Sequence, residues 1–215
     1  MKVKWLGHSA FLITSAKGVR IITDPYATGM GINYGPIKED GDIVLVSHDH
    51  RDHNNVGAIA GHPQVVKGVG DTKAGGLVFK GVATFHDDNK GRQRGPNTVF
   101  RFAVDDIVVC FAGDLGHMLD KRQLSELGEV DLLLIPVGGF YTIDAASANE
   151  LCDAMKPRVV NPMHFKTDKC GYPIAGVEEF AEGRSGVTRL DGSEVEFRKE
   201  TLPLPTRTIV LQHAL

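Results

Sequence analysis

Cysteine is nearly absent. The chain of 215 residues has three, Cys110, Cys152 and Cys170. Their odd number and wide spacing argue against a disulfide framework, and Cys110 and Cys152 sit in apolar patterns that read as core. A reducing, cytoplasmic setting is the expectation. No apolar run approaches the ~20 residues that a bilayer span requires, so no membrane partner is expected. The opening "MKVKWLGHSAFLITS" alternates polar and apolar residues around a Gly-His pair, unlike a signal peptide. An excess of positive charge is missing too. Lys and Arg number 24 against 27 Asp and Glu, a net charge of −3, and only Lys90, Arg92 and Arg94 cluster. Phosphate neutralisation supplies most of a nucleic-acid binder's affinity, so nucleic acid is not an expected partner. No Ser/Pro-rich linker and no internal repeat interrupts the chain, which therefore reads as one domain over residues 1–215. Neither a G-x-S-x-G elbow nor a P-loop signature occurs, so serine-nucleophile and P-loop chemistry have no support.

Short strands come first: Val3–Leu6, Ala10–Thr14 and Val19–Thr23, parted by "GHS" and "SAKG", predict an antiparallel meander. A glycine-rich loop follows over Tyr26–Gly41. Asn54–Ala60 suits a short helix, and Val65–Val69, Val78–Phe85 and Thr98–Val104 read as strands. The runs Asp106–Ala112 and Asp131–Val137 are apolar throughout and predict buried strands. Helical spacing marks His117–Leu127 and Ala145–Met155, the latter with Asp144 as N-cap. One helix and a hairpin, "VTRLDGSEVEFR", are expected after Gly176, and the proline-interrupted last fifteen residues carry no signal. Apolar strands repeatedly end in a polar pair: Ser47-His48, Phe85-His86, Gly113-Asp114 and Met163-His164. In α/β architectures ligands gather at the carboxyl ends of strands.

The densest of these ends is "SHDHRDHNN", Ser47–Asn55, directly after "DIVLV". It reads as a solvated turn, a proton relay or a metal cage. His48 and His50 alternate, so an extended backbone aims both to one side. Asp52 and His53 are adjacent and form a second cluster only if the backbone turns. Such a pair of clusters suits two neighbouring metal ions, and imidazole with carboxylate but no cysteine suits zinc, manganese or iron rather than a structural zinc.

"HDHRDH" resembles the H-x-H-x-D-H signature of the metallo-β-lactamase fold superfamily, and later motifs fall in that superfamily's order. His86 after "GVATF" looks like the third ligand of the first metal, Asp114 in "FAGDLGH" like the bridging aspartate, and His164 in "NPMHF" like the last ligand of the second. His8 in "GHSAF" and Asp24 in "TDP" match further motifs of a bacterial Zn-dependent hydrolase branch that includes L-ascorbate-6-phosphate lactonase. The resemblance spans residues 3 to about 170. It implies a four-layer αββα sandwich (α/β, or α+β) and metal ligands His48, His50, Asp52, His53, His86, Asp114 and His164. It also implies one or two divalent ions, zinc first, with Asp52 and Asp114 as catalytic carboxylates. His8 and Asp24 could orient the ligands, or Asp24 could start the Asp-Pro turn and His8 could be a pocket group or a structural hydrogen bond. The implied activity is hydrolysis by a metal-activated hydroxide, two ions about 3.5–4 Å apart sharing the water.

Around this set the readings stay open. Arg92, Arg94 and Asn97, in the polar loop after His86, could bind an anionic group of a small-molecule substrate or could be solvated. Tyr141 lies near another strand end. His117 suits a helix cap or a pocket wall, while His62 and His213 read as surface residues. A small ester, lactone or phosphoester is the favoured substrate. The alternatives are a phosphodiesterase acting on nucleotide or nucleic acid, and a non-catalytic metal-binding sensor or subunit of a homo-oligomer.

Overall fold

Strand parity is what gathers the motif residues. A computed structural model describes residues 1–215. β1 (Lys2–Gly7), β2 (Ala10–Thr14) and β3 (Arg20–Thr23) form the expected antiparallel meander, and β4 (Ile43–Val46) and β5 (Gln64–Lys67) extend it in parallel. β1, β3 and β4 therefore run the same way, and their carboxyl ends, at His8, Asp24 and Ser47-His48, share one edge. β6 (Gly70–Ala74), β7 (Leu77–Phe85), β8 (Pro96–Val104) and β9 (Ile107–Phe111) are antiparallel neighbours in a second sheet. After α1 (Lys121–Leu127) comes β10 (Leu132–Pro136), and after α2 (Ala145–Met155) comes β11 (Val159–Met163), each parallel to its neighbour. β7, β9, β10 and β11 thus also run together, bringing His86, Asp114 and His164 to one edge of the second sheet.

The remaining elements are α3 (Glu178–Glu182), β12 (Val187–Arg189), β13 (Glu194–Glu196) and β14 (Arg207–Val210). The sheets have the orders β13-β1-β2-β3-β4-β5 and β12-β14-β11-β10-β9-β8-β7-β6. One cluster of 44 buried residues takes side chains from both sheets and from α1 and α2. A second, of 12, lies on the other face of the six-stranded sheet. β4 shows how one strand serves both: Ile43 and Leu45 enter the first cluster, Val44 and Val46 the second, as a two-residue side-chain period requires. The helices belong to the eight-stranded side. Over the six-stranded sheet the outer layer is loop, with Tyr26, Ile32, Tyr34 and Ile37 packed beside Ile59 and Ile174. No helix is long and apolar enough to cross a membrane.

Several local expectations change. "VTRLDGSEVEFR" is not a hairpin: β12 pairs with β14 and β13 pairs with β1, so the Asp191-Gly192 turn carries the chain from one sheet to the other. The tail contributes β14, held between β11 and β12. α1 starts at Lys121 rather than His117, because Asp120 and Gln123 close a reciprocal capping box there. The helix expected over Asn54–Ala60 shrinks to one 3₁₀ turn, Val56–Ala58. α2 keeps its predicted bounds, with the Asp144 carboxylate accepting from Ser147 N. All three cysteines are free and buried.

Candidate metal centre

Three strand ends leave their sheets through left-handed backbone: His8 (φ 52°), Asp24 (φ 33°) and His164 (φ 50°). The left-handed region costs a non-glycine residue about 1–2 kcal/mol, and such strain concentrates where side chains are aimed at a site. At Gly113 (φ 55°) the need for glycine is steric, since a Cβ would lie 2.5 Å from both Asn97 Oδ1 and Ser47 Cβ. The "GD" turn can therefore press Asp114 into the gap between the sheets. In the central motif His53 N–H donates to the His50 carbonyl at 3.0 Å, which is the backbone turn that separates Asp52-His53 from His48 and His50.

Nitrogen and oxygen atoms converge around Asp114. Its Oδ2 lies 3.1 Å from His53 Nε2, 3.2 Å from His86 Nε2, 3.3 Å from His164 Nε2 and 3.9 Å from His48 Nε2. Ligand atoms of His48, His50 and His86 fall within 4.8 Å of one another, and so do those of His8, His53 and His164. Asp52 Oδ2 is 3.3 Å from His8 Nε2 and 3.6 Å from His53 Nε2. The resemblance-derived ligands thus form one continuous cluster. His8 is itself a member of the second group, and its Nε2 meets Asp52 Oδ2.

The supporting bonds are specific. Asp24 Oδ2 accepts from Ser47 Oγ at 2.5 Å and pairs with His53 Nδ1 at 2.8 Å, and Ser47 Oγ also meets His48 Nδ1 at 2.8 Å. One buried carboxylate thereby sets the ring orientation of two histidines. Asn97 lies outside the cleft, contrary to its expected substrate role. Its amide donates to Thr84 Oγ1 (2.8 Å) and the Ala112 carbonyl (3.0 Å), while its Oδ1 accepts from Asp114 N (3.0 Å). It builds the turn that carries Asp114.

Burial, then the neighbouring His164, pushes the His8 pKa down to about 3; burial, then His53, takes His48 to about 2. Burial and His86 lower His50 as well. Burial would raise Asp52 and Asp114, but the His8 hydrogen bond and His53 outweigh it at Asp52, and His164, His53 and His86 outweigh it at Asp114. Both carboxyls are held well below the usual range. Asp24 goes the other way, raised by burial against the pull of His53 and Ser47. At His53 burial is overcome by Asp114, Asp24 and Asp52, which hold its pKa well above the ordinary value. At neutral pH His8, His48 and His50 therefore stand as neutral imidazoles beside the ionised Asp52 and Asp114, while the raised His53 pKa marks a demand for positive charge among these carboxylates. His53 Nε2 and Asp114 Oδ1 are buried without a hydrogen-bond partner. Such orphaned atoms in a cysteine-free His/Asp set fit a divalent cation of the zinc, manganese or iron type.

A cavity of about 440 Å³ opens beside the cluster, walled by His50, Asp52, Asp114 and His164 and by Arg94, Tyr141 and Tyr172. The Arg94 guanidinium lies over the Tyr141 ring, 5.4 Å from its centroid. Arg92 is exposed and does not line this cavity. Its loop is shaped by Asp87, whose carboxylate accepts four backbone N–H bonds, from Asn89, Gly91, Gln93 and Arg94. His117 neither caps α1 nor lines the cavity; its Nε2 accepts from Phe85 N at 3.1 Å. His62 is exposed as expected. His213 is half-buried, bonding Asp168 and the Leu215 carbonyl. Tyr172, like Met30 and Ile32, is a wall residue that no sequence motif marks.

Comparison with known proteins gives a consistent picture. A family model described as "Beta-lactamase superfamily domain" matches residues 2–164. The chain is 28% identical over 227 residues to a UPF0173 metal-dependent hydrolase of Archaeoglobus fulgidus, covering 91% of this chain and 94% of that protein. It is 31% identical over 194 residues to a UPF0173 metal-dependent hydrolase of Pyrococcus abyssi, covering 78% of this chain and 85% of the other. A crystal structure from Thermotoga maritima, of a candidate Zn-dependent hydrolase of the metallo-beta-lactamase superfamily, is similar with a TM-score of 0.81 and 34% identity. That match covers 98% of this chain and 97% of the other.

Proposed function

This chain belongs to the metallo-β-lactamase superfamily of metal-dependent hydrolases, and on that footing we propose that it hydrolyses a small ester, lactone or phosphoester at a two-cation centre. The observation that carries the reading is the placement of Asp114, whose buried Oδ2 stands 3.1–3.3 Å from the Nε2 atoms of His53, His86 and His164. In this reading His48, His50 and His86 would hold one ion and Asp52, His53 and His164 the other, with Asp114 lying between the two sets of ligands. Zinc is the proposed metal. A bound divalent cation supplies Lewis acidity toward a carbonyl or phosphoryl oxygen and makes water acidic near neutral pH.

The chain's own groups do the rest. Asp24 and Ser47 hold His53 and His48 in fixed orientations. Asp52, with a side chain 20% exposed, faces the cavity and orients the proton of the attacking water. Arg94, held against Tyr141, binds an anionic part of the substrate or polarises its carbonyl. The cavity volume, about 440 Å³, suits a small molecule.

Metal analysis combined with a panel of lactones, aryl esters and bis-p-nitrophenyl phosphate tests the proposal. Turnover of one class, lost on chelation and restored by divalent metal, is the expected result. His50→Ala and Asp114→Ala should reduce bound metal and abolish hydrolysis while circular dichroism stays native. Tight metal binding without turnover across the panel would favour the sensor reading instead.

A further inference from the structure

The loop that carries Tyr172 is built to place its phenol. Gly171 N–H donates to the Gly31 carbonyl at 2.7 Å and Asn33 N–H to the Lys169 carbonyl at 2.9 Å, closing this loop onto the glycine-rich segment. Lys166 Nζ donates to the Tyr172 carbonyl at 2.8 Å. Gly31, at φ 99°, leaves room for the ring, since a Cβ there would lie 2.7 Å from Tyr172 Cε1. So held, the phenol O–H donates to Asp52 Oδ2 at 3.2 Å. The same oxygen meets His8 Nε2 at 3.3 Å. His8 is fully buried and Tyr172 lines the cavity, so the carboxylate is gripped from the core side and the open side together.

We propose that Tyr172 is a positioning residue for the centre: its hydroxyl fixes the Asp52 carboxylate toward the second cation position. The proposal rests on the reading of Asp52 as a ligand there. A carboxylate on a half-exposed loop has rotational freedom, and two donors on one oxygen remove it. The oxygen so held, Oδ2, is also the one 3.6 Å from His53 Nε2, so it is kept beside the proposed ligands of the second cation. Partners of this kind change metal affinity or activity by about 10–100-fold when removed. The Tyr172 ring also stands edge-on to Tyr141, 5.5 Å between centroids, and so forms part of the cavity wall, a role separable from that of the hydroxyl.

Tyr172→Phe removes the O–H and keeps the ring. Zinc affinity at the weaker of the two positions, measured by chelator competition, should fall about 10–100-fold, with affinity at the tighter position and the thermal midpoint unchanged. On any substrate turned over, kcat should fall with KM held. Tyr172→Ala should lose zinc affinity by the same factor and additionally raise KM. Wild-type zinc affinity and kcat in Tyr172→Phe would overturn the proposal. So would a loss seen only in Tyr172→Ala, which would assign the effect to the ring. If no substrate on the panel is hydrolysed by the wild type, the hydrolase reading fails, while the zinc competition still decides the role of Tyr172.

Discussion

Asn97 illustrates how one side chain in a polar loop is claimed by the scaffold rather than by a ligand. Its position after the Arg-rich loop suited substrate binding, yet burial committed both ends of the amide to Thr84, Ala112 and the Asp114 backbone. Removing one partner of a buried hydrogen bond leaves the other unpaired, at about 1–3 kcal/mol each. Asn97→Ala is therefore expected to lower unfolding free energy by that order in urea titration and to weaken metal binding through Asp114, with no selective effect on KM. Asp24→Ala acts differently, through the histidine orientations it sets. Zinc affinity should drop about 10–100-fold in the same competition measurement, and a variant that bound zinc like the wild type would remove Asp24 from the centre.

At the scale of elements, capping and pairing carry the testable content. The Asp144 carboxylate accepts from Ser147 N at the start of α2, and this bond holds its pKa below the usual range. A depressed folded-state pKa means stability that is full above the ordinary carboxylate pKa and fades as pH falls through the lowered value. Asp144→Ala should cost about 1 kcal/mol near neutrality, and the difference in urea midpoint should shrink as the solution is acidified below the ordinary range. β14 supplies a second case. Thr208 is buried between β11 and β12 and its N–H donates to the Gly186 carbonyl at 3.2 Å. Proline there removes a donor in the sheet interior, so Thr208→Pro should lower the thermal midpoint strongly, whereas the same change at exposed Thr28 should not.

For the whole molecule, the centre sits where the edges of two sheets meet, so ligand binding and folding are linked. Zinc that binds the folded chain alone stabilises it by about RT ln(1 + [L]/Kd). The thermal midpoint should rise with zinc in the wild type and respond much less in Asp114→Ala.

Sequence alone determined much of this. Period-two alternation and all-apolar runs marked most strands of both sheets, though not β6 (Gly70–Ala74), because burial of one face or two is written directly into side-chain order. The imidazole and carboxylate set was legible for a similar reason: ligand chemistry belongs to side-chain type, and each member follows an apolar strand. Tertiary structure decided the rest. Which strand ends share an edge depends on the parity of pairing across both sheets. The partners of β12, β13 and β14 depend on edges far away in sequence, so the Asp191-Gly192 turn looked like a hairpin and a short tail strand was invisible. Asn97 lost the substrate role its surroundings in sequence suggested, and Tyr172, which no motif marks, came to stand beside Asp52, through hydrogen bonds to residues 17 and 120 positions away. Side-chain chemistry is local and can be read along the chain; burial and the choice of partner are collective, and exist only once both sheets have closed on one another.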